Sequence, residues 1–190
     1  MTDDTQIAEA PADRFRRLAG TFSATVDAVP DNRWDSPSPC DGWAARDLVR
    51  HVTDTYASVL GRAGLELPEG PSLDDDPAAA WAHGRDAVQG ILDDPVKSGA
   101  EYDAFGGRSK VGDTFGSFMS VDLVVHRWDL ARAAGLPDAI PARDLAFVRA
   151  FAEQMGDMGR ASGAFGPEVA VPDDADEQTR LLGFLGRSSA

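Results

Sequence analysis

Thr114-Phe-Gly-Ser-Phe-Met-Ser-Val-Asp-Leu-Val-Val-His-Arg-Trp-Asp-Leu-Ala-Arg-Ala-Ala134 is the stretch on which the fold turns. It is long enough for a helix, apolar on nearly every side, and followed by Gly135 and Pro137, which stop a helix. A helix apolar all round is predicted to lie deep in the protein rather than on its surface. The few polar side chains it carries, Asp122, His126 and Asp129 among them, then become the ones to explain.

On either side the same period recurs. Phe15, Leu18, Ala19, Phe22, Val26 and Val29 mark a first helix stopped by Pro30. Ala45, Leu48, Val49, Val52, Tyr56, Val59, Leu60 and Ala63 mark a second, ended near Gly64. Ala78, Trp81, Val88, Ile91 and Leu92 follow a helix start at Asp76-Pro77, and Leu145, Val148, Phe151, Ala152, Met155 and Met158 follow Pro141. Alternating period-two runs are nearly absent, so the expected fold class is all-α. Between helices, Arg33 to Trp43 is punctuated by prolines and Asp-Gly and must be a shaped loop, and residues 66–77 carry five acids and no base, as a solvated loop does. Asp93 to Gly112 is long and glycine-rich for a helix connection, either functional or a plain surface excursion. Phe165 to Pro172 reads as extended, and Ala175 to Leu185 as a short helix.

The chain has 190 residues, with 18 Lys plus Arg against 32 Asp plus Glu and a net charge of −14. That charge opposes the phosphate attraction behind non-specific nucleic-acid binding, so neither nucleic acid nor an anionic membrane is an expected partner. The single cysteine, Cys40, can build neither a disulfide scaffold nor a cysteine-rich metal knuckle. The acidic N-terminus does not resemble a signal peptide, and no apolar run approaches the roughly 18 residues of a membrane span, so a cytoplasmic protein is expected. Dinucleotide, P-loop, nucleophile-elbow and zincin motifs have no anchor in the sequence.

Asp122 and His126 stand four apart, so their side chains share a helix face with Cβ atoms roughly 5–6 Å apart. A divalent ion satisfies both groups in an apolar setting; a buried Asp–His hydrogen bond or a solvated edge does so as well. His51 borders the apolar stripe of the second helix and can face a neighbouring helix, which makes three ligands from two helices available. It can equally be a core-edge histidine bonded to a carbonyl. Two imidazoles and a carboxylate suit zinc or a similar first-row ion and leave a position for water or substrate. His83 has no second ligand at helical spacing and is expected at the surface. Asp129 can brace an imidazole or pair with Arg132 or another arginine, and Cys40 is either a thiol beside the site or simply buried.

Two motifs in combination, Ser36-Pro-Ser-Pro-Cys-Asp-Gly-Trp-Ala-Ala-Arg-Asp-Leu-Val-Arg-His51 and Asp122-Leu-Val-Val-His-Arg-Trp-Asp-Leu-Ala-Arg-Ala-Ala-Gly135, resemble the mycothiol-dependent maleylpyruvate isomerase N-terminal-like family of the DinB/YfiT superfamily of metal-binding helical bundles. The tail, Phe165 to Ala175 and then Arg180-Leu-Leu-Gly-Phe-Leu-Gly-Arg187, resembles the ending of one branch of it. The resemblance implies a DinB/YfiT-like four-helix bundle with an additional helix and a short C-terminal appendage. It makes residues 1–190 a single metal-binding domain, with a core over about 12–160 and the appendage over about 161–190. It also implies one divalent ion, zinc first and nickel or another first-row metal next, held by His51, Asp122 and His126. The isomerase has Glu at the position of Asp122 and many superfamily members have His, so this chain offers a shorter carboxylate. The isomerase carries a second domain that this chain is not expected to have, which points away from that particular reaction.

The leading functional expectation is therefore a transferase or isomerase in which the ion activates a low-molecular-weight thiol, with mycothiol as cosubstrate, toward a small electrophile. Homodimerisation is expected by the same analogy and from the apolar helix faces. A non-catalytic metal-containing stress or interaction module and a metal-dependent hydrolase are the other two readings. A thiol-binding enzyme should open from the ion to solvent, with Arg46, Arg50 or Arg127 at the mouth, whereas a structural module should close the ion off.

Overall fold

Pro11 begins α1 (Pro11–Asp27), a proline at the first helical position where its missing N–H costs nothing. The helix buries Phe15, Leu18, Ala19, Phe22 and Val26 on one face, and a 3₁₀ turn over Asp31–Arg33 follows it. The computed structural model describes residues 9–104 and 107–188; the acidic residues 1–8 read against a signal peptide lie outside that range. α2 (Ala45–Arg62) starts where Asp47 Oδ2 accepts the Ala44 N–H at 2.9 Å, half of a capping box. α3 (Pro77–Asp93) starts at Asp76, whose carboxylate accepts the Ala79 N–H at 2.9 Å.

The connection from Asp93 is not an irregular excursion. A short α4 (Pro95–Ser98) leads into β1 (Glu101–Ala104), antiparallel to β2 (Gly107–Lys110), with Tyr102 opposite Ser109 and Asp103 opposite Arg108. Tyr102 is buried and its hydroxyl shares a 2.7 Å hydrogen bond with Thr114 Oγ1, which ties the hairpin to the helix after it. The described residues are thus mostly helical, as expected, with a small two-stranded sheet that the all-α reading did not include. Two strands of four residues are too short to register as a period.

The long buried stretch also divides. α5 (Val111–Gly116) ends because the backbone of Ser117 leaves the helical region (φ −118°, ψ −90°), and α6 (Phe118–Ala134) runs on to Gly135 in the left-handed conformation (φ 73°). A Cβ on Gly116 would sit 2.6 Å from Pro11 Cβ, so glycine is what lets α5 lie against the start of α1. α6 is buried on nearly all sides, as its composition predicts. It packs against both α1 and α2, and these two in turn pack against α3, so the long helices close around one apolar core.

α7 (Ala142–Ala161) adds Leu145, Val148 and Ala152 to that core, then kinks at Gly156 (φ 49°, ψ −133°). Beyond the kink Met158 is 49% exposed, outside the apolar stripe in which the sequence placed it. The chain returns along an extended segment whose Gly166 and Val169 N–H groups donate to Leu185 O and Gly183 O. It closes with α8 (Glu177–Phe184), and Phe165, Leu181, Leu182 and Leu185 join the core. Among the described residues no helix is long and apolar enough to cross a membrane.

Candidate metal centre

Asp122, His126 and Asp129 project from one face of α6, and α2 presents His51 to that face. His126 Nε2 lies 3.3 Å and His51 Nε2 3.7 Å from the same oxygen, Asp122 Oδ1. One ligand atom from each of the three residues lies within 4.8 Å of the others. Both nitrogen–oxygen distances are longer than a good charge-assisted hydrogen bond. The other oxygen, Asp122 Oδ2, is buried with no hydrogen-bond partner. An orphaned carboxylate oxygen beside two imidazole nitrogens is the donor set a divalent first-row ion takes up.

Behind His126 a second layer of polar groups meets at Asp129 Oδ2, while Asp129 Oδ1 and Arg187 Nε are buried without a hydrogen-bond partner. His126 Nδ1 is 2.9 Å from Asp129 Oδ2, and Asp129 is wholly buried. The same Oδ2 accepts from Cys40 Sγ at 3.3 Å and from Arg187 Nη2 at 3.3 Å. The indole of Trp43 covers the imidazoles, with ring centroids 4.8 Å from His51 and 6.0 Å from His126.

These contacts set the charges. Burial pushes the Asp122 carboxyl up, but the adjacent imidazoles of His126 and then His51 outweigh it and hold the group well below the usual carboxylate range. Burial pulls His126 down, yet Asp122 on one nitrogen and Asp129 on the other raise it well above an ordinary histidine. Asp129 is likewise opposed by burial and held low by His126 and Arg187. Burial, with the Asp122 charge adding to it, drives the Tyr56 phenol far up and keeps it neutral. The two carboxylates on either side thus favour the protonated ring, and an ion bound at Nε2 competes with a proton for that nitrogen.

On the solvent side of His51, 34% of whose side chain is exposed, lies an open depression of about 640 Å³ lined by Trp43, Asp47, Arg50, Asp54, Thr55 and Ser58.

Residues 15–131 match the sequence model of the mycothiol maleylpyruvate isomerase N-terminal domain. The chain belongs to that family. Two proteins of Mycobacterium tuberculosis, "Uncharacterized protein Rv0738" of strain H37Rv and "Uncharacterized protein MT0763" of strain CDC 1551, are each 28% identical to it over 183 residues, covering 94% of this chain and 98% of theirs. No solved structure gives a significant match. His51, Asp122, His126 and Asp129 all fall inside the maleylpyruvate isomerase segment, whereas Arg187 lies beyond it.

The other residues weighed in the sequence divide sharply. Asp129 binds His126 and Arg187, while Arg132 pairs with Asp138 at 3.6 Å. Cys40 is half-buried beside the site. His83 stands apart, its Nε2 3.1 Å from Pro68 O, pinning the acidic loop to α3. Of the arginines expected at the mouth, only Arg50 lines the depression. Arg46 turns to Asp35 and Asp74, and Arg127 is buried against the carbonyls of Asp138 and Ala139. Sequence reasoning missed two residues. It gave Trp43 no place beside the histidines, and it assigned Arg187 no role, because no local spacing links it to a partner 58 residues upstream.

Proposed function

We propose that the chain is a metal-dependent, low-molecular-weight-thiol transferase or isomerase, built on a DinB-like four-helix bundle, with His51, Asp122 and His126 as ligands of one divalent ion, zinc first. The whole of residues 1–190 is taken as one domain, cytoplasmic, acting on mycothiol and a small electrophile. The observation that carries the reading is the convergence of His51 Nε2 and His126 Nε2 on Asp122, whose second oxygen is buried without a partner. A bound ion would supply positive charge that lowers the pKa of an incoming thiol, the thiolate being the reactive form.

The chain's own residues do the rest. Asp129 accepts the Nδ1–H of His126 and so turns its Nε2 lone pair toward the ligand cluster. Trp43 walls one side of the two imidazoles and limits water there. His51, exposed to the depression, gives access from solvent, and Arg50 adds a cation at its edge. That open side favours an enzyme over a module in which an ion only ties helices together.

Titration of metal-loaded and chelator-treated protein with mycothiol, and with glutathione as a control, tests this directly. Loaded protein is expected to bind the thiol with release of about one proton near neutral pH, and stripped protein is expected not to. Neither binding nor proton release in the loaded protein sinks the thiol reading. Homodimerisation belongs to the same proposal, and sedimentation finding only a 20.2 kDa species at micromolar concentration counts against it.

A further inference from the structure

Asp129 Oδ2 is a crossing point: His126 Nδ1 at 2.9 Å, Cys40 Sγ at 3.3 Å and Arg187 Nη2 at 3.3 Å all reach it in a fully buried place. A carboxylate there needs a counter-charge, and the guanidinium of Arg187, only 13% exposed, is the cation that meets it from outside the pair with His126. Arg187 arrives on the far end of the chain, directly after Gly186, whose φ of 88° and close approach to Gly166 turn the backbone toward the site. Its own N–H donates to Leu182 O at 2.8 Å, which anchors Arg187 just past the end of α8.

We infer that Arg187 is a positioning residue of the metal centre, through which the C-terminal segment, outside the maleylpyruvate isomerase match, completes the site. Arg187 holds Asp129 Oδ2 in place, Asp129 holds the His126 ring by Nδ1, and Nε2 is thereby aimed at Asp122 and His51. This rests on the metal-centre reading above. It adds to it that a docked tail sets how well the family's ligands are presented. The contact to Asp129 uses a single guanidinium nitrogen, so a lysine ammonium can supply it, whereas an uncharged side chain of similar length cannot.

Zinc affinity, measured by competition with a chromophoric chelator, and the ligand-field bands of the cobalt-loaded protein are to be compared for wild type, Arg187→Met and Arg187→Lys. Arg187→Met is expected to weaken zinc binding roughly 10- to 100-fold and to move the cobalt bands. Arg187→Lys is expected to keep wild-type bands and an affinity within about threefold of wild type. A role confined to tail packing would lower the melting temperature and leave the bands where they are. Arg187→Met protein with wild-type affinity and bands overturns the inference and leaves the metal centre standing. Wild type that takes up no ion overturns both. If Arg187→Met fails to fold, Arg187→Gln takes its place, and wild-type affinity and wild-type bands in that variant overturn the inference.

Discussion

An imidazole held between Asp122 on Nε2 and Asp129 on Nδ1 ties protonation, stability and metal binding together. His126 is raised above its ordinary value of 6.5, so its contribution to the metal-free protein is fully present below that pH and is lost as pH climbs through the raised value. Asp122 is lowered, so its contribution is present above the ordinary 3.8 and fades as pH falls through the depressed value. Chelator-treated protein is therefore expected to be most heat-stable between roughly pH 4 and 6.5 and to weaken above that. Added ion must displace the His126 proton, so the metal-induced rise in melting temperature is expected to grow from pH 6 to pH 8; a rise independent of pH would contradict the shared nitrogen. Asp122→Asn keeps the shape of the side chain and removes its charge. More than a tenfold loss of metal affinity is expected from it, read by the same chelator competition, and equal affinity would remove Asp122 from the ligand set.

At the scale of elements, the sequence was most legible where burial is one-sided or complete. The stripes of α1, α2 and α3 fall where the period of apolar residues puts them, because each buries one face against the others, and α6 is buried all round as its composition requires. What escaped is set by backbone rather than by pattern. The hairpin is too short to show a period, the break at Ser117 lies in its backbone angles, and the kink at Gly156 follows from a backbone conformation that only glycine adopts readily. Gly186 is the most consequential such point. A Cβ there would meet the Gly166 backbone at 2.7 Å on top of a left-handed φ. Gly186→Ala is expected to cost about 1–3 kcal/mol in a denaturant melt and to lower metal affinity along with it, since Arg187 shifts with its neighbour. A destabilised variant with full metal affinity would separate the tail from the site.

Across the whole molecule, long-range closure is what neighbouring residues cannot announce. The pair Asp122 and His126 was visible as a spacing, and His51 as a polar residue at the edge of an apolar stripe. That they share one point, with Trp43 over them and Arg187 behind, depends on α2, the Arg33–Trp43 loop and the C-terminal segment all docking on α6. The chain's net charge of −14 makes acidic groups plentiful, yet His51, Asp122 and His126 gather at the buried face of α6, beside an open depression that reaches His51. The central claim is accordingly that His51, Asp122 and His126 bind an ion as a unit. Metal content after zinc loading and exhaustive dialysis, determined by elemental analysis for wild type and for His126→Ala with equal helical content by circular dichroism, tests it most directly. The expected result is about one ion per chain in wild type and essentially none in the variant; an empty wild type, or full retention in His126→Ala, would contradict it.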